Sequence, residues 1–253
     1  PTRIALTGAL PVVTAPLTVN GTNTTTLFRG TPYIEINGAG VGAGTYGLRM
    51  ATNDCQVNGL RFTEFPQNAL QYYFTANGMI RNVEAISNGA AGIQVYDSAN
   101  VQIGGTNGEA CLLSANSQYG LHVYGSRSTN NILLGSWIGV RRGGTQSWGN
   151  AQSGVIIEDQ ARFNRIGGTN LLNRNIIAAN GGPGILLQDG GTTNNRVLGN
   201  YLGVDATGTN PLRNTYGVQI QNGAGYTEIG APTGGNVIAA HYSAILIDTG
   251  SVG

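Results

Sequence analysis

Three versions of one phrase, Ile103-Gly104-Gly105, Ile166-Gly167-Gly168 and Ile229-Gly230-Ala231, stand 63 and 63 residues apart. A fixed internal period constrains a chain more than any single residue, because each repeat must bury its apolar side chains against the next. A shorter unit recurs inside that period. It is clearest from Asn180 to Asp189: an Asn, a Gly four residues later, then an alternating apolar segment with a polar end. Asn88, Asn116 and Asn150 precede Gly92, Gly120 and Gly154 in the same way. The strand of this unit starts at Leu48, Leu70, Ile93, Leu121, Val155, Ile185, Val218 and Ile245, at intervals of 22, 23, 28, 34, 30, 33 and 27 residues.

Short apolar runs separated by turns recur throughout, and no segment sustains the 3.6-residue period of a helix. A single coil of three short strands has no second layer to cover it, so consecutive coils must stack. At ~4.8 Å per coil, about eight coils give a parallel β-helix roughly 40 Å long. Residues 1–46 are less regular, with β-like runs at Ile4-Ala5-Leu6, Leu17-Thr18-Val19 and Tyr33-Ile34-Glu35-Ile36, and are expected to form the first coil and an N-terminal cap. Residues 47–253 are expected to be coils of the same continuous domain.

Composition agrees with a turn-rich β protein. Gly contributes 41 residues with no Gly-x-y period, which excludes collagen. Only 10% of residues are charged and all 13 basic residues are Arg, so the sequence gives no electrostatic case for a nucleic-acid partner. There is no 18-residue apolar run and no basic-then-apolar leader, so no membrane span is expected. Cys55 and Cys111 fall at different positions of different coils and are expected to be free thiols. Asn20-Gly21-Thr22 and Asn23-Thr24-Thr25 match the glycosylation sequon, which has meaning only in a eukaryotic source. Gly253 follows a core strand closely, so either a cap beyond it or another subunit is expected to cover the last coil.

The segments Leu17-Thr18-Val19-Asn20-Gly21, Ile34-Glu35-Ile36-Asn37-Gly38-Ala39-Gly40, Gly199-Asn200-Tyr201-Leu202-Gly203-Val204-Asp205-Ala206-Thr207-Gly208-Thr209 and Gly235-Asn236-Val237-Ile238 resemble the repeat-rich β-helix proteins of bacterial secreted and cell-surface polypeptides. The resemblance covers most of residues 10–250. It implies an all-β, right-handed single-stranded parallel β-helix (β-solenoid) of the pectate-lyase-like type, a fold that hosts lyases, hydrolases, adhesins and fibres. Val140-Arg141-Arg142-Gly143-Gly144-Thr145 stands where a second Val-Asp-Ala-Thr-Gly-Thr would be expected, so a metal cannot be a general property of this turn.

Alternation places the first and third strand residues inward, from Leu48/Met50 to Ile245/Ile247, and the second and fourth outward. The outward set is the candidate glycan or partner face: Gln71, Tyr73, Gln94, Tyr96, His122, Tyr124, Ile156, Glu158, Leu186 and Gln188. Flat rings beside amides suit sugars. The plainer reading is that like residues simply stack on a parallel sheet. Ile156 and Leu186 read as exposed apolar residues that a neighbouring chain or segment covers. Asn88, Asn116, Asn150 and Asn180 are expected to form a structural ladder, with His241 substituting in the last coil.

Asp97, Asp159 and Asp189 occupy one repeat position, which Asn222 shares. Asp159 and Asp189 are weak catalytic candidates, as an acid and nucleophile ~5 Å apart; with Glu158 they could also hold Ca²⁺. A turn role explains all the copies, so no cofactor and no metal is expected. Without Lys a lysine-based lyase mechanism is impossible, and His122 and His241 lie too far apart for a dyad. The leading reading is an extracellular or cell-surface structural or adhesive β-helix, a stalk or polymerising filament or surface-layer subunit that self-associates and is not an enzyme. The alternative is a polysaccharide-binding or polysaccharide-degrading β-helix, as a glycoside hydrolase or polysaccharide lyase if catalytic.

Overall fold

The computed structural model describes residues 1–22, 34–106, 109–248 and 250–251, so the Asn23 sequon, Tyr33 and the end at Gly253 lie outside the described residues. The chain winds as a right-handed parallel β-helix through three parallel sheets of nine, eight and eight strands. Sheet A begins with Thr2–Ala5, Ile34–Asn37, Leu60–Thr63 and Glu84–Ile86, and continues through Leu112–Ser114 and Trp137–Ile138 to Val237–Ile238. Sheet B stacks Leu48–Met50, Leu70–Tyr73, Ile93–Tyr96, Leu121–Tyr124, Val155–Glu158, Ile185–Gln188, Tyr216–Gln221 and Ser243–Ile247. Sheet C runs from Thr18–Asn20 to Glu228–Ile229. Residues 1–22 already contribute to every sheet, with Val13 bridged to Met50 in sheet B.

The register is that of the sequence repeat. Ile93 pairs with Leu70 on one side and Leu121 on the other, and Tyr96 with Tyr73 and Tyr124. Inward positions from Leu48 to Ile220 are buried, while Ile245 and Ile247 in the last described coil are 43% and 49% exposed. Tyr72 fits the core because Gly78 lies against its ring, where a Cβ would come within 2.2 Å, and because its hydroxyl donates to the Cys55 carbonyl at 3.0 Å. Both cysteines are buried and free, and burial pushes the Cys111 thiol up to about 11.

Three ladders of buried polar side chains hold the turns. Between sheets A and B, the Asn88, Asn116, Asn150 and Asn180 amides each donate to the next coil's side-chain oxygen at 2.9–3.0 Å, ending on Asn214. Asn214 takes the Asn position in the penultimate coil, and His241 takes it in the last, its ring bonding the Asn214 and Leu202 carbonyls. Asn131, Asn164 and Asn195 form a second ladder, and Asn175, Asn200 and Asn236 a third. Each amide also serves backbone: the Asn150 oxygen accepts from the Asn116 N–H and its amide donates to the Leu113 carbonyl. The recurring Gly has a steric cause, since a Cβ on Gly154 would lie 2.8 Å from both the Asn180 amide nitrogen and the Gly184 carbonyl.

Asn150→Ala strips partners from several buried groups at once, each worth about 1–3 kcal/mol when left unpaired. Urea denaturation is expected to show a loss of at least about 2 kcal/mol, against less than about 0.5 kcal/mol for the exposed Gln152→Ala. Equal losses for the two variants would rule out a structural role for the ladder.

Candidate functional site on the outer face of sheet B

The fourth position of successive strands brings tyrosines into a column. Tyr73 and Tyr96 ring centroids lie 5.3 Å apart, and those of Tyr96 and Tyr124 4.5 Å apart, with interplanar angles near 33°. Phe74 meets Tyr73 and Tyr96 edge-on, and the Arg49 guanidinium lies 4.0 Å above the Tyr73 ring and 5.3 Å from Tyr46. Parallel in-register pairing produces this stack without a special device, because identical positions are neighbours at every coil.

At Tyr124 the column changes character. His122 stacks on Tyr124 at 4.3 Å and meets the edge of Tyr119 at 5.2 Å. Its Nε2 lies 2.7 Å from Glu158 Oε1, and Gln188 Nε2 donates to Glu158 Oε2 at 2.5 Å. Gln221 donates to Gln188, and Gln219 to Gln221, so one hydrogen-bonded row runs along the face from His122 to Gln219. The His122 bond holds the Glu158 carboxyl below the usual carboxylate range, against burial and with help from Gln188. An ionised Glu158 can only accept, so this hydrogen bond places a proton on His122 Nε2 and directs Nδ1 away from the carboxylate. Burial first, then the neighbouring Tyr96, pushes the Tyr124 phenol up to about 12. Tyr124 is therefore a neutral hydroxyl beside a His–Glu pair.

Several outward residues, Gln94 among them, are not exposed as the alternation implies. Ile156 is 1% exposed and Leu186 is half-buried, so neither is the bare apolar residue expected from the sequence. Gln71 is also buried, donating to Gln94. The face is thus partly closed by the chain's own side chains. Tyr46, Phe74 and Tyr119 join it although the strand pattern does not include them. Tyr46 and Tyr119 each stand just before a repeat Gly, Gly47 and Gly120, and that shared position was the available signal.

Asp97, Asp159 and Asp189 lie where sheet B turns toward sheet C, at φ of 42°, 51° and 72°, with Asn222 at 54°. Asp and Asn tolerate this left-handed conformation better than other side chains. Asp97 Oδ1 accepts from the Arg127 N–H of the next coil at 2.9 Å. Glu158 is committed to His122 and Gln188 rather than to Asp159 and Asp189, and among the described residues no three acidic, His or Cys side chains converge as metal ligands.

Residues 19–145, half of the chain, match the family described as a right-handed beta helix region. The chain belongs to this family. No curated protein matches it in sequence. Among solved structures, a periplasmic alginate epimerase, AlgG, is similar over 93% of this chain and 67% of its own, at 12% identity and a TM-score of 0.45. Pectate lyase Pel9A is similar over 99% and 68%, at 14% identity and 0.44. The A-module of mannuronan C-5 epimerase AlgE4 from Azotobacter vinelandii is similar over 99% and 90%, at 14% identity and 0.40. The reading of this β-helix protein as a non-catalytic stalk, adhesin or filament subunit is corrected here, since the similar structures are by name polysaccharide-modifying enzymes. At such identities the likeness is one of architecture, and the chemistry of the face has to be read from its own residues. No helix among the described residues is long and apolar enough to cross a membrane.

His122→Ala removes the main cause of the lowered Glu158 pKa, so a carboxyl-carbon NMR titration is expected to show Glu158 moving up toward the ordinary range. A carboxyl with a depressed folded pKa stabilises the fold above the unfolded value and loses that contribution as pH falls through the folded one. The variant should therefore lose less stability on acidification than the parent. An unchanged Glu158 titration would refute the coupling.

Proposed function

We propose that the outer face of sheet B binds a polysaccharide and that His122, oriented by Glu158, carries out acid–base chemistry on it. The observation that carries this reading is the passage of the Tyr73–Tyr96–Tyr124 column directly into the His122–Glu158–Gln188 row. Rings offer flat apolar surface to sugar faces, and the amides and carboxylate offer donors and acceptors to hydroxyls. The tyrosine column runs along the long axis of the coils, as a linear polymer lying across several of them would need.

Within that site His122 Nδ1 is the candidate base and the neutral Tyr124 hydroxyl the candidate acid. Lyase- and epimerase-type reactions share one first step, proton removal from a sugar carbon next to a carboxylate. A base and an acid whose ring centroids stand 4.3 Å apart could act on one bound sugar, the base taking the carbon's proton and the phenol giving its own to the carbon or the leaving oxygen. The left-handed backbone at Asp159 and Asp189 supports a turn role for them and favours the His–Glu pair as the centre. A polymer substrate also favours work outside the cytoplasm, in keeping with the extracellular expectation.

The test is a panel of neutral and acidic polysaccharides, followed by binding isotherms and by detection of unsaturated or epimerised products. Tyr96→Ala is expected to weaken binding roughly 3- to 10-fold, the worth of one aromatic contact. His122→Ala should retain binding while turnover falls about 10²- to 10⁴-fold. Binding indifferent to Tyr96, or turnover indifferent to His122, would sink the assignment.

A further inference from the structure

The outer face of sheet A carries a second, differently built surface. Its outward column reads Arg3, Glu35, Arg61, Glu84 and then Leu112, Trp137, Ile176, Tyr201, so it passes from alternating charge to apolar and aromatic side chains. The arm that follows Trp137–Ile138 folds back over the junction, closed by an antiparallel bridge between Val140 and Ser147. Arg142 on this arm reaches Glu84 through Nε at 2.9 Å and through a second nitrogen, while Arg61 Nε donates to the other Glu84 oxygen at 2.6 Å. Glu84 is 1% exposed and satisfied on both oxygens.

A cleft of about 500 Å³ opens here, lined among others by Arg61, Glu84, Leu112, Arg141, Arg142 and Trp148. Its charge is not balanced. Of its three guanidinium groups, Arg142 and Arg61 pair with the Glu84 carboxylate and Arg61 also with Glu35 at 3.6 Å, which leaves one positive charge in excess. Arg142 commits two of its five N–H donors to Glu84, which leaves the rest for a ligand. Arg141 makes no ion pair among the described residues and lies 4.6 Å over the Trp148 ring. Holding the arm down accounts for Glu84, Arg61 and Arg142, but it accounts for neither Arg141 nor the open volume.

We propose that this cleft is a second binding site, separate from the sheet B face, for a carboxylate-bearing saccharide. The guanidinium forks match a carboxylate, the half-buried Trp148 indole offers apolar surface to a sugar ring, and the volume suits a ligand of that size. The choice of a saccharide rests on the polysaccharide reading above; the preference for an anion rests on the cleft itself.

The chain has two tryptophans, and both belong to this region: Trp148 lines the cleft and Trp137 lies 5.4 Å beneath the Arg142 guanidinium. Intrinsic tryptophan fluorescence therefore reports on this cleft and not on the tyrosine face. Trigalacturonate is expected to produce a saturable change that neutral galactotriose and inorganic phosphate do not. Arg141→Ala, which leaves the Glu84 bridges intact, is expected to weaken the response about tenfold or more with an unchanged circular dichroism spectrum. Glu158→Gln and Tyr96→Ala should leave it as in the parent. No saturable change, an equal change with the neutral sugar or with phosphate, or indifference to Arg141→Ala would each overturn the proposal. Because the sheet B variants are read by binding and turnover, either site can fail while the other stands.

Discussion

Coils that stack in register must satisfy the polar groups of every turn that faces inward, and buried asparagine does this throughout the structure. A side-chain amide has both donors and an acceptor, so it bonds the same amide one coil on and still serves backbone on either side. Asn150 shows the whole pattern, contacting Asn116, Asn180 and the Leu113 carbonyl. With only 10% charged residues, this protein holds its turns by hydrogen-bond ladders far more than by ion pairs. The ladders also fix register, because a coil displaced by one residue would leave a column of buried amides unpaired.

That same register creates the functional surfaces. Inward it stacks Ile, Val and Leu; outward it stacks whatever the alternate positions hold. In sheet B this aligns Tyr73, Tyr96 and Tyr124, then replaces tyrosine with Glu158 and Gln188 in the same column. The replacement makes the site, since Glu158 can then meet His122 from the neighbouring column one coil earlier. In sheet A it aligns Arg61 with Glu84, and an arm from a later coil adds Arg142. A uniform scaffold thereby becomes locally distinct wherever one coil departs from its neighbours.

Much of this was legible in the sequence. The spacing of Ile103, Ile166 and Ile229, together with the Asn-to-Gly unit, determined a stacked-coil fold, because apolar alternation repeated at nearly constant intervals has no other way to be buried. It also assigned the inward columns and the outward membership of Tyr96, His122 and Glu158. Tertiary structure decided what strand alternation cannot express. It buried Ile156 and Gln71 on the outward side, brought Tyr46 and Tyr119 from the turns into the face, and left Ile245 and Ile247 exposed in the last described coil. It also turned His122 toward Glu158 and carried Arg142 58 residues along the chain to Glu84. The physical reason is one of range: a period records which residues repeat along each strand, whereas side-chain direction and the path of an irregular arm depend on neighbours that only the folded coils supply.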